Sequence, residues 1–286
     1  MKFNKLNIST VIVTGADAYH FSNLKILIGS WSKNNPNLPL CVCDFGLAPE
    51  QIELLRTIKG VFYLPNKGLP FTHPWEGKAA INHFLKEYPH SYEVLVWIDA
   101  DALFNAPYPD LPDLMRGYDM IIDPHINSIG DIMHECNREV LSVNKEDCYF
   151  SAGCWIARKG VLLDTYHRLT QLVKGKGNLW ECDAFVAAIY HEKLKLREVD
   201  GGVWHSRGKT SLATCIVQNL KAYHNGSVIY VLHANADYTV RSDGRRIFIR
   251  PELAAIQDLY ENYFDAKFAE NRTNFFQKFF KFFKAS

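Results

Sequence analysis

Nowhere in its 286 residues does the chain carry the run of roughly 18 apolar residues that a membrane-spanning helix needs. Its first residues, MKFNKLNISTVIV, hold too short an apolar stretch, and no small-residue cleavage site, to read as a signal peptide. A soluble body is expected. An excess of either charge is also missing: 32 Lys and Arg stand against 31 Asp and Glu, a formal net charge of +1. Because binding to a phosphate backbone needs a concentrated basic excess, composition gives no reason to expect nucleic acid as a partner. Cysteine is sparse and odd in number, seven residues at 41, 43, 136, 148, 154, 182 and 215, several of them inside apolar runs. That is not the spaced framework of a small secreted domain, and it points to a reducing, cytoplasmic compartment. Cys41 and Cys43 share one face of a strand and read as core. No internal repeat is present.

What is there is nearly half apolar and 22% charged, enough for one large α/β domain with a modest appendage. Short β-branched or aromatic runs alternate with segments of helical period, the pattern of parallel strands joined by crossover helices. Strands are expected at 10–14, 40–44, 61–64, 93–98, 119–123, 149–157 and 228–232, the last closing the sheet. Helices are expected at 21–33, 49–58, 75–87 and 180–192, with others opening at Val161 and Pro251. Lys174 to Asn178, KGKGN, is a loop by its glycines. The reading is a Rossmann-like sheet flanked by helices.

In VLVWIDADALF, an apolar strand stops at two carboxylates one residue apart, Asp99 and Asp101, flanking Ala100. Open α/β sheets bind ligands at the carboxyl ends of their strands. Two like charges at an apolar strand end need a cation or donor groups to hold them, and oxygen ligands favour Mg2+ or Mn2+. Such an ion neutralises a nucleoside diphosphate as it departs. A helix-capping role explains one Asp and not both. Asp-x-Asp also follows an apolar strand in a class of phosphatases, where the first Asp is the nucleophile. That class carries the motif near the chain start and needs a later acidic pair, which this sequence does not show.

Several segments in one order resemble GT-A glycosyltransferases, particularly the family 8-like group, over about residues 10–240. VIVTGADAYHFSNLKILIGSW is similar to that family's first strand and turn, which contact the nucleobase. The resemblance implies donor contacts for Thr14, Gly15, Ala16, Asp17 and Tyr19, and Gly15 lets a ligand approach the backbone closely. HPWEGKAAI resembles the stretch that places a Lys near the nucleotide, here Lys78. YFSAGCWIARKG resembles the small-residue turn beside the donor sugar, so Ser151, Ala152 and Gly153 are expected there, with Ser151 replacing the usual Asn. NLWECDAFVAAI resembles a helix start that in retaining members reads Asp-Gln-x-x-x-Asn. Glu181 takes the Asp place, Cys182 the Gln place and Val186 the Asn place, and either Glu181 or Asp183 is a candidate catalytic carboxylate. Carboxylates are also stabilised at a helix N-terminus without any catalysis. VIYVLHANADY resembles the late strand whose His completes the metal shell, which makes His233 the third metal ligand with Asp99 and Asp101. Arg241, Arg245, Arg246 and Lys209 all remain open as the residue facing the diphosphate.

At the chain's end, NFFQKFFKFFKAS places Phe275, Phe276, Phe279, Phe280, Phe282 and Phe283 within an arc of roughly 160° on a helical wheel, opposite Lys278, Lys281 and Lys284. That is a membrane-surface pattern, though docking on the chain's own domain or on another subunit also uses such a stripe. The expected organisation is therefore a GT-A domain over 1–265 and an amphipathic tail over 266–286, peripheral on the inner face of a membrane. The expected activity moves a sugar from a nucleotide diphosphate, with UDP as the nucleotide, to a hydroxyl of a glycan or glycolipid. The competing expectation, prompted by the missing amides at Ser151 and Cys182, is a nucleotide-sugar-binding protein without turnover.

Overall fold

The computed structural model describes residues 9–71, 73–207, 209–234 and 238–283, with side chains described for all of these except 125–126, 209–211 and 269–283. In chain order its strands begin with β1 (Thr10–Ala16), β2 (Leu40–Asp44), β3 (Val61–Leu64), β4 (Val94–Ile98), β5 (Ala102–Phe104) and β6 (Met120–Ile122). They continue with β7 (Pro124–Ser128), β8 (Cys148–Phe150), β9 (Cys154–Arg158), β10 (Leu196–Glu198) and β11 (His205–Ser206). Beyond these lie β12 (Ile216–Gln218), β13 (Lys221–His224), β14 (Ser227–Val228) and β15 (Val231–His233), then the hairpin of β16 (Tyr238–Val240) and β17 (Arg246–Phe248).

Seven strands form the main sheet in the order β10-β6-β9-β4-β1-β2-β3. β9 runs antiparallel to both β4 and β6, and the remaining pairs are parallel, so the sheet is mixed. Side chains alternate across a strand, and in β1 and β4 both alternating sets are buried. Val11, Val13, Leu95 and Trp97 pack on one face with Phe185, from helix Trp180–His191, and Tyr166, from helix Leu163–Val173. Ile12, Val94, Val96 and Ile98 pack on the other with Leu24 and Leu27, from helix Phe21–Asn34, and Phe264, from helix Pro251–Phe283. Each fully buried Leu, Ile or Phe contributes about 1.5–3 kcal/mol before ordering costs.

The expected helix over 75–87 is two short helices, Pro74–Ala79 and Ile81–Leu85, meeting at Ala80. The first carries Gly77, whose missing Cβ would fall 2.6 Å from the Phe45 ring, so that turn packs closely against the ring. The expected strand over 149–157 is likewise two, β8 and β9, parted by Ser151, Ala152 and Gly153, where the Ser151 hydroxyl accepts from the Gly153 N–H at 3.2 Å. The segment expected to close the main sheet lies outside it. β15 joins a separate three-stranded sheet in the order β11-β15-β5, which sets His233 opposite Ala102. The last helix crosses position 265 without a break, and Leu253, Ile256, Tyr260, Phe264 and Phe268 are buried. The six-Phe stripe beyond falls among side chains outside the described residues. No helix among the described residues is long and apolar enough to cross a membrane.

Candidate active site

β4 ends where its neighbours can hold the turn that follows. The Asp99 N–H donates to the Gly153 carbonyl at 2.9 Å, and the Ala102 N–H returns to the Asp99 carbonyl at 3.1 Å. Asp101 is carried onto β5, whose antiparallel pairing with β15 brings His233 alongside. The His233 Nε2 lies 2.9 Å from the Asp101 Oδ1 and 3.9 Å from the Asp99 Oδ2. Asp99, Asp101 and His233 each offer a ligand atom, all within 4.8 Å of one another. Two carboxylates and an imidazole are a donor set for a divalent cation such as Mn2+ or Mg2+. Gly153 leaves room for them: a Cβ there would fall 2.7 Å from the His233 Cε1 and 3.2 Å from the Asp99 Oδ2. The residues fit the ion.

Around this cluster opens a cleft of about 320 Å3 at the carboxyl ends of β1 and β4. Gly15, Ala16, Asp17, Lys78, Ala100, Ser151 and Ala152, the donor-site candidates from the sequence, line it, and so does Glu181, a candidate catalytic carboxylate. Asp17 holds the turn after β1 by accepting from the His20 N–H at 2.9 Å and pairing with its ring at 2.8 Å. Burial works against the Asp17 carboxylate, but the His20 bonds hold it below its usual range. Gly15 has a nearer reason than a ligand to lack a side chain. Its Cβ would lie 2.2 Å from the Phe45 ring, which also lines the cleft.

Lys78 is buried between two carboxylates, with its Nζ 3.1 Å from the Asp99 Oδ1 and 3.6 Å from the Glu181 Oε1. Burial pulls its ammonium down, but Asp99 and then Glu181 more than reverse this, so it stays charged. The same burial lifts the Glu181 carboxyl to about 7, with Lys78 pulling the other way and Asp99 adding to the rise. Tyr166 donates its hydroxyl to the Glu181 Oε1. Asp101 is held well below the ordinary carboxylate range: burial opposes this, but His233 and then Arg246 outweigh it.

Not every expected residue reaches the cleft. Asp183, two residues along the helix from Glu181, is buried elsewhere, accepting from the Asn137 Nδ2 at 2.7 Å and the Tyr149 hydroxyl at 2.9 Å. Of these, Tyr149 lines the cleft. Thr14 is buried inside β1, and its hydroxyl has no partner among the described residues. Tyr19 is exposed, edge-on to His20. Val186 is core, whereas Cys182 lines the cleft.

Among the basic candidates, Arg246 ion-pairs with Asp101 and lines the cleft, while Arg245 is buried on Glu261. Arg241 is exposed, and the Lys209 side chain lies outside the described residues.

Four contributors, Trp97, Arg207, Asp123 and His205, were not anticipated. The Trp97 indole donates to the Asp99 Oδ1 at 2.8 Å, an arrangement visible in principle from the period-2 spacing of 97 and 99 on one strand face. Arg207 lines the cleft and donates to the Asp123 Oδ2 from its Nε at 3.1 Å, and the His205 Nε2 lies 2.8 Å from the His233 Nδ1. Nothing local in the sequence marks this second group, because strands far apart in the chain assemble it.

No protein-family model matches the sequence, and neither does any curated protein. Solved structures do match in shape. The galactosyltransferase LgtC, in complex with donor and acceptor sugar analogs, superposes with a TM-score of 0.54 at 13% identity, over 89% of this chain and 95% of LgtC. An active-site mutant of LgtC matches with a TM-score of 0.54 at 13% identity, over 88% of this chain and 94% of that one. The bifunctional glycosyltransferase WbbM, in its apo form, matches with a TM-score of 0.51 at 16% identity, over 72% of this chain but 41% of WbbM. The mixed sheet flanked by helices, with the Asp-Ala-Asp turn at the end of its central strand, is thus the GT-A fold of these glycosyltransferases.

Proposed function

We propose that the chain is a metal-dependent glycosyltransferase that takes a sugar from a nucleoside diphosphate, with UDP as the nucleotide, and passes it to an acceptor hydroxyl. The observation that carries this reading is the convergence of Asp99, Asp101 and His233 in a cleft at the carboxyl ends of the central strands. A divalent cation bound there supplies positive charge to the departing diphosphate. Arg246 and Arg207, the two guanidinium groups lining the cleft among the described residues, are the residues proposed to face the diphosphate. In this reading Gly15, Ala16 and Asp17 meet the base and Ser151, Ala152 and Gly153 the donor sugar, which is supported by all six lining the cleft.

Glu181 is the proposed catalytic carboxylate, since it faces the cleft and its raised pKa suits proton transfer near neutrality. Asp183 serves by holding Tyr149 at the cleft wall. The resemblance leans to retention of anomeric configuration, which NMR of the product decides. The tail, proposed as a separate amphipathic segment from residue 266, would keep the enzyme peripheral on an anionic membrane carrying a glycolipid or cell-surface glycan. The test is a screen of UDP-sugars for hydrolysis and transfer, with Mn2+ and with a chelator. Mn2+-dependent release of UDP supports the reading, whereas binding without release in every case makes the chain a nucleotide-sugar-binding protein.

A further inference from the structure

Among the described residues β17 has a strand partner on one edge only, and two buried side-chain amides occupy the other. Arg245 and Ile247 face β16: the Arg241 N–H donates to the Arg245 carbonyl at 2.9 Å, and Thr239 stands opposite Ile247. Because the direction of the peptide groups alternates along a strand, those of Gly244, Arg246 and Phe248 point away from β16. Asn23, from helix Phe21–Asn34, accepts from the Arg246 N–H at 2.9 Å and donates its Nδ2 to the Gly244 carbonyl at 3.2 Å. Gln257, from helix Pro251–Phe283, accepts from the Phe248 N–H at 2.9 Å and donates its Nε2 to the Arg246 carbonyl at 3.0 Å.

Each amide therefore meets one N–H and the carbonyl two residues before it, as a residue of a parallel neighbouring strand does. The two sites demand an acceptor and a donor side by side, and only Asn and Gln side chains are neutral amides that carry both. Arg246 is the residue common to them. Asn23 takes its N–H and Gln257 its carbonyl, so both of its backbone groups are fixed from the helices behind it. Its side chain is held from the front, with the guanidinium 4.7 Å from the centroid of the Tyr238 ring and paired with Asp101 at the cleft. A lone two-stranded hairpin is marginally stable in water, so these amides decide where the backbone of this one cleft arginine stands.

Resting on the reading above that Arg246 faces the donor diphosphate, we propose that Asn23 and Gln257 are positioning residues for nucleotide binding. Neither lines the cleft. They act through Arg246, holding its backbone so that the guanidinium already stands at the cleft when the nucleotide arrives. Less ordering of a long, flexible side chain then opposes binding.

The experiment titrates UDP in Mn2+ into the full chain and its variants by calorimetry, with circular dichroism to confirm that each is folded. Arg246→Ala should lose at least about tenfold in UDP affinity, the worth of a charge-assisted contact. Asn23→Ala and Gln257→Met should each lose about three- to tenfold, the cost of ordering one such side chain on binding. Added to Arg246→Ala, neither should weaken UDP further, whereas general loosening of the fold would weaken it in both backgrounds. Amide hydrogen exchange on the parent chain needs no variant: the Arg246 and Phe248 N–H groups should be protected although no strand covers that edge. If those two amides exchange as freely as exposed ones, the proposal is overturned. It is also overturned if both amide variants bind UDP as tightly as the parent, or lose as much again without Arg246. Loss in Arg246→Ala with none in the amide variants removes the positioning role and leaves Arg246 at the diphosphate. An Arg246→Ala variant that binds UDP as tightly as the parent, or a parent that binds none, removes the nucleotide role of Arg246 first and the positioning role with it.

Discussion

Replacing Glu181 with Gln should make the protein more stable in alkaline solution while impairing it as an enzyme. Glu181 is 3% exposed, and burial raises its carboxyl from an ordinary 4.5 to about 7. The folded state therefore holds the proton more tightly than the unfolded chain. The stability this confers is complete below the unfolded value of 4.5 and is lost as pH rises through 7. At about 1.4 kcal/mol per pKa unit, ionising Glu181 in place costs about 3 kcal/mol at pH 8. Glutamine keeps the shape and an oxygen to accept from Tyr166, but it never ionises. Denaturant unfolding of both proteins in a chelator should give Glu181→Gln about 3 kcal/mol more stability at pH 8, narrowing to about 1 kcal/mol by pH 5. In thermal melts the pH 8 difference corresponds to roughly 6 °C for a chain of this size. If the variant is no more stable at pH 8, or if the same difference persists at pH 5, burial is not straining this carboxylate. Turnover with donor saturating should fall in the same variant if Glu181 is the catalytic carboxylate proposed above.

Other consequences are equally open to measurement. Gly15→Ala forces a methyl group onto the Phe45 ring and should cost about 1–3 kcal/mol in unfolding experiments, with Phe45→Leu recovering part of the loss in the double variant. Gly153→Ala pushes on His233 and Asp99 together and should weaken Mn2+ binding about tenfold by calorimetry; unchanged affinity would show that the cluster does not hold the ion. A chain ending at Ala269 should stay folded and still process donor, yet lose sedimentation with anionic vesicles. Equal vesicle binding by the shortened and full-length chains would refute the membrane role, and dissociation of an oligomer would assign the Phe stripe to a protein interface.

How far the sequence could be read depended on whether a feature was local. β2 and β3 follow the residues expected for them because an apolar run bounded by Pro, Gly and Asp is a local signal. The break at Ala80 has no local mark, since 75–87 keeps a helical period throughout. The interruption between β8 and β9 was legible only as a turn of small residues within an apolar run, and the backbone bond from Gly153 to Asp99 fixes its place. Asp99, Asp101 and Lys78 stand out by chemistry at a strand end or helix start, and the fold brings them together. Glu181 and Asp183 look alike in sequence, yet a helix turns residues two apart to different sides, and only Glu181 meets the cleft. Asp123, His205 and Arg207 come from segments with no shared pattern; the pairing of β11 with β15 sets His205 beside His233, and Arg207 reaches Asp123 from the residue after β11.

The central claim, a cation-dependent nucleotide site, is tested most directly by calorimetric titration of UDP into the full chain, in Mn2+ and again in a chelator, with Asp101→Asn run in parallel. Binding should be about tenfold tighter or more in Mn2+, and Asp101→Asn should abolish that advantage because it removes an anionic ligand from a site that needs charge as well as oxygen. Equal UDP affinity with and without Mn2+, or undiminished Mn2+-dependent binding by Asp101→Asn, would contradict it.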